Sequence, residues 1–380
     1  MRVRTGETGV AGIGTAAAEL RAYLESVVPA YRAEWGDGRS FVAALAWQRL
    51  LADGGWAAPS WPVWAGGRGL EVVDRVQCDA ELARVDAPMP AGVLGLNNVG
   101  PALILFGDTG QRESLPRILR GEEIWCQGFS EPEAGSDLAG LRTRAELVGD
   151  DGAAGFVVNG QKVWTSAGMQ GTHLMLLVRT DPAAPKHRGI SVLLVPMDSA
   201  GIERRPLRQI TGESEFAEVF FTDVQVPRTA LLGPLHGGWR VTMATLGYER
   251  SGVLSLAAGL QREVERLVPG LRVSDPLLRE EILRRWMDAR LTGLLGARAL
   301  AALGEGGKPG AAQSVIKAAW SRTTAELGET LLRVQGADGL LAGNPAAQRF
   351  LRSRSSTIAA GTTEIMKNLL AEQVLGLPKG

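Results

Sequence analysis

Hydrophobic positions change their period twice along the chain. In "ELRAYLESVVPAY", Leu20, Tyr23, Leu24, Val27 and Val28 recur at three- and four-residue steps, which predicts one face of a helix. Gly-, Pro- and Trp-rich turns such as "GGWAAPSWPVWAGGRGL" punctuate this first segment. Near its end, "GDTGQRESLPRILRGEE" predicts a loop and a short amphipathic helix with Leu115, Ile118 and Leu119 facing inward. From about Glu123 the pattern becomes that of strands, in "GFVVNGQKVWTS", "HLMLLVRT", "GISVLLVPM" and "AEVFFTDVQVP", each bounded by Gly, Pro or Asp. Asn159-Gly160 lies between two apolar runs and predicts a type I′ hairpin turn, whose central residues both need positive φ. After Pro234 long helical patterns return in "DPLLREEILRRWMDARLTGLLGARALAAL" and "AAQSVIKAAWSRTTAELGETLLRVQGADG", with lengths that predict an antiparallel bundle. The expected order is a helical domain over residues 1–124, a β domain over 125–234 and a helical domain over 235–380.

At 380 residues the chain is long enough to bury a sizeable core in two or three domains. Its 41 basic and 41 acidic side chains cancel, so the totals carry no electrostatic footprint for nucleic acid or an anionic membrane. Cys78 and Cys126 lack the spacing of a disulfide framework or a zinc knuckle, and His173, His187 and His236 lack paired-ligand spacing. No metal site is expected, and a reducing cytoplasm fits best. No apolar run reaches the roughly 18 residues that span a bilayer, and the N-terminus carries no leader pattern, so neither a membrane span nor processing is expected. "GIGTAA" matches GxGxxA at Gly12, Gly14 and Ala17, but no strand is predicted before it and no βαβ unit after it, so a Rossmann site is not expected.

Candidate chemistry concentrates in "WCQGFSEPEAGSDLAG", residues 125–140. Alone this is ordinary turn chemistry, or a polar loop whose backbone NH groups and hydroxyls at Ser130 and Ser136 line an extended cofactor. The later "NGQKVWTSAG" shifts the balance, because a Trp between a Lys and a Thr-Ser pair suits a planar heterocycle with a polar edge.

These stretches resemble the acyl-CoA dehydrogenase family of flavoenzymes. "GFSEPEAGSDLAG" and "GQKVWTSAG" are similar to two of its motifs, and "VQGADGL", "GTTEI" and "NLLAEQVLGLP" to its C-terminal ones. The likeness extends through "LNNVGPALILFGDTGQRESLPRILRGEEIWC". The resemblance implies an α+β fold of three domains, the last a four-helix bundle, with FAD as cofactor. It implies dehydrogenation of an acyl-CoA to the trans-2-enoyl-CoA, with electron-transfer flavoprotein as acceptor. By resemblance, Gln127, Phe129 and Ser130 lie against the pyrimidine side of the flavin and Ser136 near the FAD pyrophosphate. Trp164, Thr165 and Ser166 surround the ring face and N5, while Gly336, Thr362 and Glu364 reach FAD from the C-terminal domain or a neighbouring subunit.

The family usually carries its catalytic glutamate just before the glycine of the Gly-Thr-Thr-Glu turn, where this chain has Ala360. Members similar to isovaleryl-CoA and long-chain acyl-CoA dehydrogenases carry it instead on a helix that opens the C-terminal domain. There this chain has "GYERSG", so the resemblance assigns α-proton removal to Glu249, followed by Arg250, while hydride passes to flavin N5. The backbone NH of Ala360, with a flavin ribityl hydroxyl, is expected to polarise the thioester carbonyl. Three departures concern FAD contacts between subunits. "ERLVPGLRVSDPLLREEILRRWMDARL" holds no Phe-Gly pair, Arg333 stands where a glutamine is usual, and Ala337 stands where a second glycine is usual. Bacterial relatives include mixed assemblies of two dehydrogenase chains, so a heterotetramer stands beside a homodimer or homotetramer. An oxidase or monooxygenase on the same scaffold, and a subunit that completes a partner's FAD site, are the alternative readings.

Overall fold

The N-terminal helices follow the predicted faces. In α1 (Thr15–Trp35) Leu20 and Leu24 are buried, with Tyr23 and Val28 packed beside them. They meet Trp47 and Leu51 of α2 (Phe41–Asp53) and Cys78 of α3 (Val72–Arg84). Ser40 starts α2 by accepting a hydrogen bond from Ala43 N at 3.1 Å. This computed structural model describes residues 14–38, 40–149, 155–304, 311–341 and 343–378, with the side chains of 246–251, 304 and 311 left outside that description. Gly12 of the GxGxxA match falls outside it. Gly14 caps α1 and Ala17 sits in the helical core, and the chain runs on into α2 without forming a βαβ unit.

A π turn at Gly95–Val99 leads into α4 (Gly100–Phe106), followed by α5 (Thr109–Arg112) and α6 (Ser114–Arg120). Asp108 and Gln111 form a reciprocal capping box that fixes the start of α5. Leu115 and Ile118 of α6 are buried and Leu119 packs against the same core, as the amphipathic pattern predicts.

Among the described residues eight strands follow: β1 (Trp125–Gly128), β2 (Arg144–Val148), β3 (Gly155–Ser166), β4 (His173–Arg179), β5 (Ile190–Pro196), β6 (Ile202–Leu207), β7 (Phe216–Val226) and β8 (Leu231–Leu232). They form one sheet in the order β6-β7-β3-β2-β4-β5-β8, with β1 lying parallel to β4. Residues Leu174 to Val178 of β4 are all fully buried because both of its faces are covered. Met175 and Leu177 pack toward α4, α6 and Trp125, while Leu174, Leu176 and Val178 pack toward Phe156, Val158 and Phe221. That is why this strand reads as a continuous apolar run and not as an alternation.

The expected Asn159-Gly160 hairpin turn is not formed. Both residues lie inside β3, a single strand of 12 residues paired with β2 on one side and β7 on the other. Gly160 has φ +148°, and a Cβ there would lie 2.7 Å from the Cα of Thr143, so the glycine serves close strand approach. Asn159 instead bonds across the sheet: its Nδ2 donates to Asp223 Oδ1 at 3.0 Å and its Oδ1 accepts from Asp223 N at 3.0 Å. Between Val158 and Gly160 the partner strand advances three residues to β3's two, a bulge whose extra residue is accommodated by Asp223 at φ +48°.

The C-terminal part is helical: α7 (Gly238–Leu267), α8 (Pro276–Gly304), α9 (Ala311–Gln335), α10 (Pro345–Ser353) and α11 (Thr363–Leu369), closed by a second π turn at Leu370–Val374. Leu260, Val264, Ala289, Leu327 and Leu331 form the bundle core between α7, α8 and α9. Among the described residues, no helix is long and apolar enough to cross a membrane.

Because Asn159 and Asp223 bond across 64 residues of sequence, a double-mutant cycle with Asn159→Ala and Asp223→Ala is expected to show coupling of about 0.5–1 kcal/mol in urea denaturation. Additive effects would contradict the through-strand geometry.

Candidate active site

Two segments far apart in sequence lie side by side beyond the end of β1. Lys162 of β3 is fully buried, and its Nζ donates to Phe129 O at 3.0 Å and to Glu131 Oε1 at 2.8 Å. Glu131 Oε1 also accepts from Thr143 N at 2.8 Å, and its Oε2 accepts from Arg142 N at 2.7 Å. The neighbouring backbone adds Val163 N donating to Ser130 O at 2.9 Å. Residues 129–131 are thereby stapled to β3 immediately before Trp164, Thr165 and Ser166.

The electrostatics follow from burial. Desolvation pushes the Glu131 carboxyl up, but the Lys162 charge and the surrounding hydrogen bonds outweigh it and hold the group below the usual carboxylate range. Desolvation dominates at Lys162 and brings its ammonium down to about 8, against the opposing pull of Glu131.

Just beyond the staple, β3 advances three residues, from Lys162 to Thr165, while β7 advances two. The extra residue makes a bulge in which Trp164 takes φ +60°, a region that bulky side chains seldom occupy. The indole is left 56% exposed, held edge-on by Phe216 with ring centroids 5.7 Å apart. Gln127 Nε2 on β1 is buried without a hydrogen-bond partner, as is Thr165 Oγ1 next to the indole on β3. An uncovered indole on β3 and an unpartnered buried amide on the adjoining β1 are groups that a flat ring with a polar edge would complete, so the chemistry of these residues fits a flavin.

The remaining predicted residues are distributed as follows. Phe129 is buried against the core of α4 and α6, and Ser136 is exposed in the turn beside the Asp137–Lys186 ion pair at 2.6 Å. Gly336, at φ +56°, is exposed where α9 ends. Ala360, at φ +56°, and Gly361, at φ +100°, turn the chain into α11. Thr362 caps that helix, its Oγ1 accepting from Ile365 N at 3.2 Å, and Glu364 is exposed in its first turn. Arg333 pairs with Glu281 of α8, and Ala337 is exposed. Glu249 and Arg250 lie on α7, but their side chains fall outside the described residues.

Gln127–Ser130 and Trp164–Ser166 are therefore brought together. Arg352 of α10 bonds Glu215 at 3.0 Å, and Glu215 O accepts from Ala167 N at 2.9 Å, which ties the C-terminal segment to the bulged end of β3. Among the described residues, no hydrogen bond or ion pair joins Gly336, Ala360, Thr362 or Glu364 to the two walls.

Glu131 and Lys162 escaped sequence reasoning, although both stand inside the quoted motifs. The signal was present: Phe156 and Val158 set the inward parity of β3, and that parity puts Lys162 on the buried face, where an ammonium needs a carboxylate. Asn98, which donates from Nδ2 to Gln127 Oε1 at 3.4 Å, left no such trace.

Comparison with known proteins identifies the family of the whole chain. Three family profiles match in order: "Acyl-CoA dehydrogenase, N-terminal domain" over residues 15–122, "Acyl-CoA dehydrogenase, middle domain" over 126–224 and "Acyl-CoA dehydrogenase, C-terminal domain" over 236–375. Acyl-CoA dehydrogenase IpdE1 of Mycolicibacterium smegmatis is 42% identical over 365 residues, covering 90% of this chain and 91% of its own. The structure of the Tcur3481-Tcur3483 steroid ACAD matches with a TM-score of 0.82 and 30% identity, over 96% of this chain and 97% of the other. The crystal structure of the ChsE4-ChsE5 complex from Mycobacterium tuberculosis matches with a TM-score of 0.81 and 28% identity, over the full length of both chains.

Removing one partner of a buried ion pair strands the other. Lys162→Met is expected to lower stability by about 3–5 kcal/mol in urea denaturation, and Glu131→Gln with Lys162→Met by clearly less than that. A Lys162→Met protein as stable as its parent would contradict the staple.

Proposed function

The chain belongs to the acyl-CoA dehydrogenase family, and from that premise we propose that it dehydrogenates a steroid-derived acyl-CoA between its α and β carbons, with Glu249 as the base. As a member of that family it is an FAD-dependent oxidoreductase. The observation that supports the site assignment is an unpartnered buried Gln127 amide on β1 and an uncovered Trp164 indole on the adjoining β3.

Bound FAD supplies the two-electron acceptor for hydrogen leaving the β carbon. Gln127, Phe129 and Ser130 hold one side of the ring, and Trp164, Thr165 and Ser166 the other; Ser136 lies toward the pyrophosphate. Glu249 takes the α proton. The helix that carries Glu249, α7, packs against the π turn beside β1 and so borders the flavin walls. A base is defined by where its carboxylate meets the proton, so a helix facing the pocket can replace the turn that carries Ala360. The Ala360 NH polarises the thioester carbonyl, a role that does not depend on its side chain.

The steroid assignment rests on likeness to the two-chain steroid enzyme, and a chemically related partner chain is proposed on the same ground. Two observations support an assembly. Among the described residues no hydrogen bond or ion pair joins Gly336, Thr362 or Glu364 to the flavin walls, which is compatible with their reaching the FAD of a neighbouring subunit. Leu283, Met287, Leu291 and Leu294 stand exposed at helical spacing along α8, an apolar stripe that a second subunit would cover. Electrons then pass to an electron-transfer flavoprotein.

In the FAD-loaded protein, Glu249→Gln is expected to slow anaerobic bleaching of the flavin by acyl-CoA about 10²–10⁴-fold while leaving the visible spectrum of the resting protein unchanged. Bleaching at the parent rate would remove Glu249 from the mechanism, and loss through Glu364→Gln instead would move the base to the C-terminal turn. Light scattering is expected to give the mass of at least two chains; a monomer with full activity would contradict sharing of the site.

A further inference from the structure

We propose that Asn98 is a positioning residue that sets the orientation of the Gln127 amide and, through it, the redox balance of the flavin; this rests on the placement of Gln127 at the flavin proposed above. Asn98 is only 3% exposed and sits within the π turn Gly95–Val99. Such a turn inserts one residue into a helix and re-aims the side chains that follow, a device common at functional sites.

The turn is held from several sides. Trp61 Nε1 donates to Leu96 O at 2.9 Å, and a Cβ on Gly100 would lie 1.9 Å from the Trp61 ring, so the helix is seated directly against the indole. Gln48 Oε1 accepts from Gly92 N at 2.6 Å just upstream, and Leu96 N donates to Gly92 O at 3.0 Å. On its inner side the turn touches both β1 and α7, so Asn98 stands where the flavin wall meets the helix that carries Glu249.

From this seat Asn98 Nδ2 donates to Gln127 Oε1 at 3.4 Å. An amide whose oxygen is engaged presents its NH₂ group elsewhere, and Gln127 Nε2 is buried with no protein partner. The amide therefore offers a donor to an acceptor atom on the flavin's pyrimidine edge. A donor there favours the electron-rich reduced ring over the oxidised one. An acceptor at position 98 in place of the donor would instead draw Nε2 away from the flavin.

The test uses the FAD-loaded protein, with its partner chain if one is required, and reads the two-electron midpoint potential and the flavin absorption band. Asn98→Leu and Asn98→Asp are both expected to weaken the preference for reduced flavin roughly tenfold, about 30 mV downward for a two-electron couple. Gln127→Leu is expected to do the same, and Asn98→Leu combined with Gln127→Leu no more than either alone, because the two act as one unit. A potential that moves with Gln127→Leu but stays fixed in both Asn98 variants overturns the role of Asn98 and leaves the flavin site standing. A potential unmoved by Gln127→Leu, or additive shifts, overturns the proposal; in the first case the placement of Gln127 at the flavin falls as well.

Discussion

The buried ion pair between Glu131 and Lys162 is the constraint on which the rest of the site depends. Taking an ammonium out of water costs on the order of 20 kcal/mol in the idealised limit, so Lys162 can stay inside only where a carboxylate and further acceptors meet it with good geometry. The fold supplies these from three places: the Phe129 carbonyl, the Glu131 carboxylate, and the backbone NH groups of Arg142 and Thr143 that complete that carboxylate. Satisfying one side chain thus fixes the loop after β1, the approach to β2 and the end of β3 relative to one another. The two walls proposed to hold the cofactor inherit their spacing from that requirement.

Three departures from regular geometry stand at residues for which ligand chemistry is proposed. Trp164 occupies the left-handed region at a bulge, Asn98 sits in a π turn, and Ala360 takes a positive φ before Gly361. Each conformation is unfavourable in isolation and persists because neighbouring packing determines it. The Trp164 bulge has the plainest consequence: a regular strand would have alternated the indole by parity, whereas the inserted residue turns it outward as an uncovered aromatic surface.

Much of this was legible in the chain. The faces of α1 and α6, the long C-terminal helices and the strand-rich middle all follow from period, because each buries one continuous apolar stripe or face. Gln127–Ser130 and Trp164–Ser166 could be assigned to one site from motif resemblance, and they do come together. The Asn159-Gly160 turn was misread because local turn preference competes with tertiary pairing: cross-sheet bonds from Asn159 to Asp223 and the tight approach of Thr143 to Gly160 hold the pair straight within β3. Contacts between distant segments were the least legible. Glu131 and Lys162 are 31 residues apart, and Asn98 is 29 from Gln127, so only the folded sheet shows that they meet. The proposed sharing between subunits is equally non-local, since an exposed stripe on α8 looks, in sequence, like any other amphipathic face.

The claim that these two walls form the flavin cleft is tested most directly by a crystal structure of the FAD-loaded protein. The account predicts a ring acceptor within about 3 Å of Gln127 Nε2 and the ring bordered by the Trp164 indole. A flavin bound elsewhere, with Gln127 Nε2 still buried and unpartnered, would contradict it.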